Sequence, residues 1–122
     1  MIATILLTVM SPVAAVPAPA CASAQPADRV AGRWAGAFAG ADWTFELTRD
    51  ASGWSGRYQS SKAQVWRPLD GVSVTGGCAT FSLKSEPRLT FILVLDAGGT
   101  TLTGDLDIAG HATLPFAAQR TS

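Results

Sequence analysis

Apolar and polar residues alternate along most of the chain, in short runs that are separated by turn-forming residues. Trp43, Phe45 and Leu47, for example, are each followed by a polar residue. Successive side chains of a β-strand point to opposite faces, so this pattern predicts a strand with one buried face. The other positions predicted to be buried are Trp34, Phe38, Trp54, Tyr58, Phe81, Leu83, Leu89, Phe91, Leu93, Leu95, Leu102, Leu106, Leu114, Phe116 and Ala118.

Turn signals follow one another at nearly even intervals, among them Asp50–Gly53, Asp70-Gly71, Gly76-Gly77 and Asp96–Gly99. Short strands with turns every eight to twelve residues are typical of an all-β sandwich or barrel. No segment after the first 24 residues is long and helically periodic enough to predict a helix. The pattern therefore predicts an all-β, antiparallel domain.

Three segments share the pattern apolar-x-Gly-x-apolar, namely Trp34–Phe38, Trp54–Tyr58 and Leu102–Leu106. A glycine on the inner face lets a strongly coiled strand bend without placing a side chain in the bend. This favours closure of the sheet. We expect a single small up-and-down β-barrel of about eight strands in residues 31–122, preceded by a polar leader, residues 25–30.

The first 24 residues carry no charged side chain. Their apolar run, Ile2–Met10, is too short to span a bilayer, which takes about 20 residues, and Ala22-Ser23-Ala24 offers small side chains at a cleavage site. Residues 1–24 are therefore predicted to be a signal peptide that directs the protein to the periplasm or the medium. An uncleaved membrane anchor and a lipoprotein modified at Cys21 are the alternatives.

Composition removes several functions from consideration. Nine basic and nine acidic residues balance to zero, so no electrostatic footprint suggests nucleic acid. Cleavage after Ala24 would remove Cys21 and leave Cys78 without a partner for a disulfide. His111 is the single histidine, and neither a Gly-x-Ser-x-Gly motif nor a clustered set of metal ligands accompanies it. We expect no enzyme activity, no cofactor and no metal.

Trp34 opens the first predicted strand, and Arg120 shares the parity of Phe116 and Ala118 in the last. In a closed barrel the first and last strands are neighbours, so Arg120 is expected to stack on Trp34 and close one end, the barrel floor. In this feature the chain resembles the lipocalins and their relatives, the calycins. That resemblance implies a small apolar ligand in the open end.

A second resemblance covers most of the chain after the leader. Its landmarks are Gly32-x-Trp34-x-Gly36, Gly53–Gly56, Leu102–Asp105 and Leu114-Pro115-Phe116 with a terminal Arg120. They resemble the small β-barrel domain found N-terminal to some bacterial exported α/β-hydrolases and β-lactamase-like serine hydrolases. The resemblance implies a free-standing copy of an accessory module without chemistry of its own. A co-exported hydrolase or protease is the candidate protein partner.

A third resemblance is local. Val65–Val72 (VWRPLDGV) is similar to a stretch of the periplasmic metalloprotease inhibitors, which are also small β-barrels. The resemblance implies an inhibitory leader, here Gln25–Val30, although those inhibitors usually hold a disulfide. The alternative interpretation of Val65–Val72 is a strand that enters an Asp-Gly turn.

The run Leu89–Leu95 leaves apolar residues on both faces of one strand. If Leu89, Phe91, Leu93 and Leu95 point inward, then Ile92 and Val94 point outward. The leader or a loop covers them, or they form, with Trp66, an interaction surface for a partner or a second copy. A large aromatic content leaves little room inside so short a barrel, so a protein partner is expected, with protease inhibition and carriage of a small apolar ligand as alternatives.

Overall fold

A computed structural model describes residues 25–121 of the chain; the predicted signal peptide, residues 1–24, lies outside them. The described part begins with a 3₁₀ helix and continues with nine strands. In order they are the 3₁₀ helix (Ala27–Val30), β1 (Gly32–Phe38), β2 (Ala41–Asp50), β3 (Gly53–Ser60), β4 (Arg67–Pro68), β5 (Asp70–Thr75), β6 (Cys78–Leu83), β7 (Leu89–Leu95), β8 (Thr101–Ile108) and β9 (Ala112–Arg120).

All nine strands form one antiparallel sheet in the order β4-β3-β2-β1-β9-β8-β7-β6-β5. Strands that are consecutive in sequence are neighbours, except for β4 and β5, which stand at the two ends of this order. β1 also pairs with β9 through Trp34 opposite Arg120. The sheet curls into a nearly closed barrel, so the prediction of a small all-β barrel is confirmed. One strand more than the expected eight is present because the chain between β3 and β5 adds the two-residue β4.

The barrel stays open along one line, which we call the seam, between β4 and β5. β4 contains Pro68, which has no backbone N–H to donate to a neighbouring strand. Leu69 is the one residue between β4 and β5, and its backbone N–H donates to the carbonyl oxygen of Gly56 in β3 at 2.9 Å. Ladder pairing therefore ends at β4, and the two ends of the sheet approach each other without a continuous ladder.

Burial along the strands follows the alternation of the sequence. β7 shows it most clearly, because Leu89, Phe91, Leu93 and Leu95 are buried and the residues between them are half-buried. Leu114 departs from the expectation: its side chain is 37% exposed. It lies two residues into β9, at the end of the barrel where the inner positions are no longer covered.

Two inward glycines mark places where neighbouring strands come close. A Cβ added at Gly36 would lie within 2.7 Å of the Phe116 ring, and one added at Gly104 would overlap the carbonyl oxygen of Ile92. Neither position has room for any other residue. The apolar-x-Gly-x-apolar pattern thus corresponds to close packing in the curved sheet.

Cys78 at the start of β6 is 3% exposed and is disulfide-bonded, which corrects the expectation that it has no disulfide partner. The only other cysteine of the sequence, Cys21, lies outside the described residues. Among residues 25–121, no helix is long and apolar enough to cross a membrane.

Candidate functional site: the open end of the barrel

One end of the barrel, the floor, is closed by Trp34 and Arg120. Trp34 is 0% exposed, and its indole N–H donates to the carbonyl oxygen of Val30 at 2.9 Å. The guanidinium of Arg120 lies 4.3 Å from the centroid of the Trp34 ring. It also donates to the carbonyl oxygens of Gly99 (2.9 Å), Ala31 (3.0 Å) and Arg29. The structure thus brings the two residues together in a stacked, hydrogen-bonded closure.

The leader completes the floor. Val30, the last residue of the 3₁₀ helix, is 0% exposed. An ion pair and a hydrogen bond hold the helix to the barrel: Arg49 bonds Asp28 at 2.5 Å, and Arg29 donates to the carbonyl oxygen of Gly98 at 3.2 Å. Residues 27–30 are therefore part of the closed end, and an inhibitor-like insertion of the leader into another protein would have to undo these contacts.

Aromatic rings fill the middle of the barrel. Phe45 contacts Phe81 and Phe91 at centroid distances of 5.1 Å, and Phe91 contacts Phe116 at 5.0 Å. All four rings are buried. Contacts at these distances and tilts are the arrangement that aromatic pairs prefer, so the cluster is well packed. A ligand that entered the middle would have to displace one of these rings.

The other end, the open end, is rimmed by half-buried aromatic residues. Phe38, Trp43 and Tyr58 pack against the edge of the core without being covered. The rings of Trp43 and Tyr58 lie 6.0 Å apart, and the Trp43 indole N–H donates to the carbonyl oxygen of Phe38 at 3.0 Å. These contacts fix the rings in place at the end where the β3–β4 loop, the β6–β7 loop and the β8–β9 turn meet.

The β3–β4 loop, residues 61–66, is held by its own hydrogen bonds. The backbone N–H of Gln64 donates to the carbonyl oxygen of Ser60 at 2.8 Å, and Ser61 exchanges bonds with Asp42 at 2.8 and 3.0 Å. This loop presents Val65, whose side chain is 52% exposed, more than any other large apolar side chain in the described chain. The loop therefore displays an apolar residue on a rigid support.

Trp66 lies against the outer face of β1–β3. Its ring is 4.3 Å from the guanidinium carbon of Arg57 and 5.4 Å from that of Arg33. Both arginines bond Glu46 between them at 2.7 Å. Hydrogen bonds from Arg33 and then Arg57 hold the pKa of the Glu46 carboxyl below its usual range. Trp66 is thus half-buried and lies over the ion pairs that Glu46 forms with the two arginines.

Ile92 and Val94 lie on the outer face of β7 and are half-buried. β8 and β9 separate β7 from β1 in the sheet, so this strip and Trp66 lie on different sides of the barrel. The three residues do not form the single interaction surface that the sequence analysis considered. Alternation along a strand identifies its outward residues, but it does not identify which strands share a side of the barrel.

Two clefts open at this end, each with a volume of about 370 Å³. The first lies between the β6–β7 loop and the β8–β9 turn and is lined by Glu86, Pro87, Arg88, Ala109 and His111. The second lies at the seam and is lined by Tyr58, Arg67, Pro68, Lys84 and Ser85. His111 is a turn residue, as expected. Within residues 25–121, no group of three or more His, Cys, Asp or Glu is placed to hold a metal ion.

No family model, curated protein or solved structure matches this chain.

Proposed function

We propose that the domain is an exported, non-catalytic binding module, and that it contacts a protein partner through its open end. The observation that carries the proposal is the filled interior: Phe45, Phe81, Phe91 and Phe116 occupy the space that a small-molecule carrier keeps for its ligand. Binding is thereby directed to the surface. This is also the accessory role implied by the resemblance to the barrels that precede exported hydrolases.

The open end is favoured over the rest of the surface because it gathers apolar groups on a rigid support. Val65 and Leu114, the exposed large apolar residues of the described chain, both lie there. A loop that is already ordered loses little conformational entropy on binding, so each contact contributes more to affinity. Trp66 and Arg67 follow Val65 directly in the sequence, and tryptophan and arginine are the residue types enriched at the centres of protein interfaces.

Protease inhibition through the leader is the weaker alternative. In the structure Val30 is buried in the floor, and the backbone carbonyl oxygens of Arg29 and Ala31 accept hydrogen bonds from Arg120. An inhibitory segment is most effective when it is presented free and in its bound shape.

The test is affinity capture from the exported protein fraction with matched surface variants. Wild-type protein and a Gln119→Asp control, which adds the same charge at an exposed position near the floor, should retain one stoichiometric partner. Val65→Asp should lose it. Loss of the partner with Ile92→Lys and not with Val65→Asp would place the interface on the outer face of β7, at Ile92 and Val94, and would contradict the proposal. Equal capture by all variants would contradict it as well.

A further inference from the structure

The cleft at the seam lies where the strand order of the sheet has its two ends. β4 ends after Pro68, and β5 begins at Asp70 on the other side of the seam. Tyr58 pairs with Arg67 across β3 and β4, so their side chains are on the same face of the sheet. Lys84 and Ser85 reach the cleft from the start of the β6–β7 loop. Two separate parts of the sheet thus supply its two sides.

The cleft is large enough for a small ligand group, and one of its sides is apolar. Its volume, about 370 Å³, is in the lower part of the range of ligand pockets. The Tyr58 ring and Pro68 form the apolar side. Within residues 25–121, the Tyr58 hydroxyl forms no hydrogen bond with another residue, so it is available as a donor.

The charges of the cleft are unbalanced. Both of its ionic side chains, Arg67 and Lys84, are cations. In the part of the chain that the structure describes, Arg67 forms no ion pair, and the Lys84 ammonium lies 3.9 Å from Asp70. That carboxylate already bonds Arg88, which holds its pKa below the usual value. The two cations are therefore available to an anion from outside.

We propose that this cleft binds a carboxylate group, and that the carboxylate belongs to the protein partner, as an acidic side chain or a chain terminus. The planar guanidinium of Arg67 matches a carboxylate with two parallel hydrogen bonds, and Lys84 adds a second positive charge. The Ser85 hydroxyl donates to the carbonyl oxygen of Pro87 at 2.7 Å, so the donors that the cleft offers to a ligand are those of Arg67, Lys84 and Tyr58. The assignment of the carboxylate to a partner rests on the proposed function.

The first arm of the test uses a small probe that needs no partner. Benzoate, titrated into the wild-type protein and followed by NMR, should shift the Arg67 side-chain and Tyr58 ring signals to saturation. Benzamide, its neutral analogue, should not. Arg67→Gln should weaken benzoate binding about tenfold or more, as expected for a charged hydrogen bond, whereas Lys62→Gln, which removes an exposed lysine outside the cleft, should leave it unchanged. Equal binding of the two probes, or of benzoate to Arg67→Gln, would overturn the proposal.

The second arm identifies the source of the carboxylate through partner capture. Arg67→Gln should reduce capture by about tenfold, and benzoate should compete with the partner. Unchanged capture by Arg67→Gln, together with charge-dependent benzoate binding, would show that the cleft takes a free carboxylate and would overturn the assignment to the partner. If Val65→Asp also captured the partner as well as the wild-type protein does, the proposed function would be contradicted. The benzoate result does not depend on that outcome.

Discussion

The closure of the barrel floor can be measured through the coupling between Trp34 and Arg120. Trp34→Leu removes the ring and the hydrogen bond to Val30 from a fully buried position. Leu fills part of the space, so we expect a loss of about 2–4 kcal/mol in the free energy of unfolding, below the 3–5 kcal/mol typical of truncating a buried Trp to Ala. Arg120→Met keeps an apolar stem and removes the donors to three backbone carbonyls, which should cost about 2–4 kcal/mol.

The two changes should not add. The guanidinium of Arg120 lies 4.3 Å from the ring of Trp34, so each single substitution removes the same stacking contact. Such a contact contributes about 0.5–2 kcal/mol. The loss of unfolding free energy in the double variant should therefore be smaller, by that amount, than the sum of the losses in the two single variants. Urea denaturation followed by circular dichroism and by the fluorescence of the remaining tryptophans gives the four free energies.

A control cycle pairs Trp34→Leu with Arg88→Met. Arg88 lies in the β6–β7 loop at the open end, so these losses should add to within about 0.5 kcal/mol. A coupling between Trp34 and Arg120 that is no larger than that of the control would show that the two residues close the floor independently, and the account of the stacked closure would be wrong.

Three further outcomes are expected. Gly104→Ala should destabilise the barrel by about 2–4 kcal/mol in urea denaturation because the new Cβ meets the backbone of β7. Gly98→Ala is the control: its Cβ would lie 3.8 Å from the nearest atom, so the stability should change by about 0.5 kcal/mol or less. The pKa of the Glu46 carboxyl is lower in the folded than in the unfolded protein, so ionised Glu46 stabilises the fold above its unfolded pKa. This stabilisation is lost as the pH falls from about 5 through the folded pKa, and Glu46→Gln should remove that part of the pH dependence of the free energy of unfolding. The intact mass of the protein recovered from the periplasm or the medium should match cleavage after Ala24 if the predicted signal peptide is correct. An intrachain disulfide on Cys78 requires that Cys21 is retained, and the mass is then lower than that of the reduced form by two hydrogen atoms.

Much of the fold was predictable because the alternation of buried and exposed residues is a direct consequence of strand geometry. β2 and β7 follow it along their inner faces, and the terminal pairing of Trp34 with Arg120 follows from closure of an up-and-down sheet. β4 was not predicted, since a two-residue strand that contains a proline has no alternation to recognise.

The open end was less predictable from the sequence. Val65 adjoins Trp66, and no periodicity marks Val65 as exposed. The conformation that presents Val65 depends on hydrogen bonds that Gln64 donates to the carbonyl oxygens of Ser60 and Ser61. The seam cleft brings Arg67 next to Lys84 although 17 positions separate them in the sequence. Only the order of strands in the closed sheet creates that proximity, and alternation along single strands carries no information about it.

The filled interior is the central claim, and a neutral apolar probe tests it most directly. Dodecanol is uncharged and cannot form an ion pair with Arg67 or Lys84 in the seam cleft. Saturable binding of dodecanol would therefore indicate a site in the barrel interior. NMR titration of the protein should show no intermolecular contacts between the alkyl chain and the rings of Phe45 and Phe91, whose centroids lie 5.1 Å apart. Saturable one-to-one binding with such contacts would mean that the rings separate to admit a ligand, and the proposal of a surface-binding module would be contradicted.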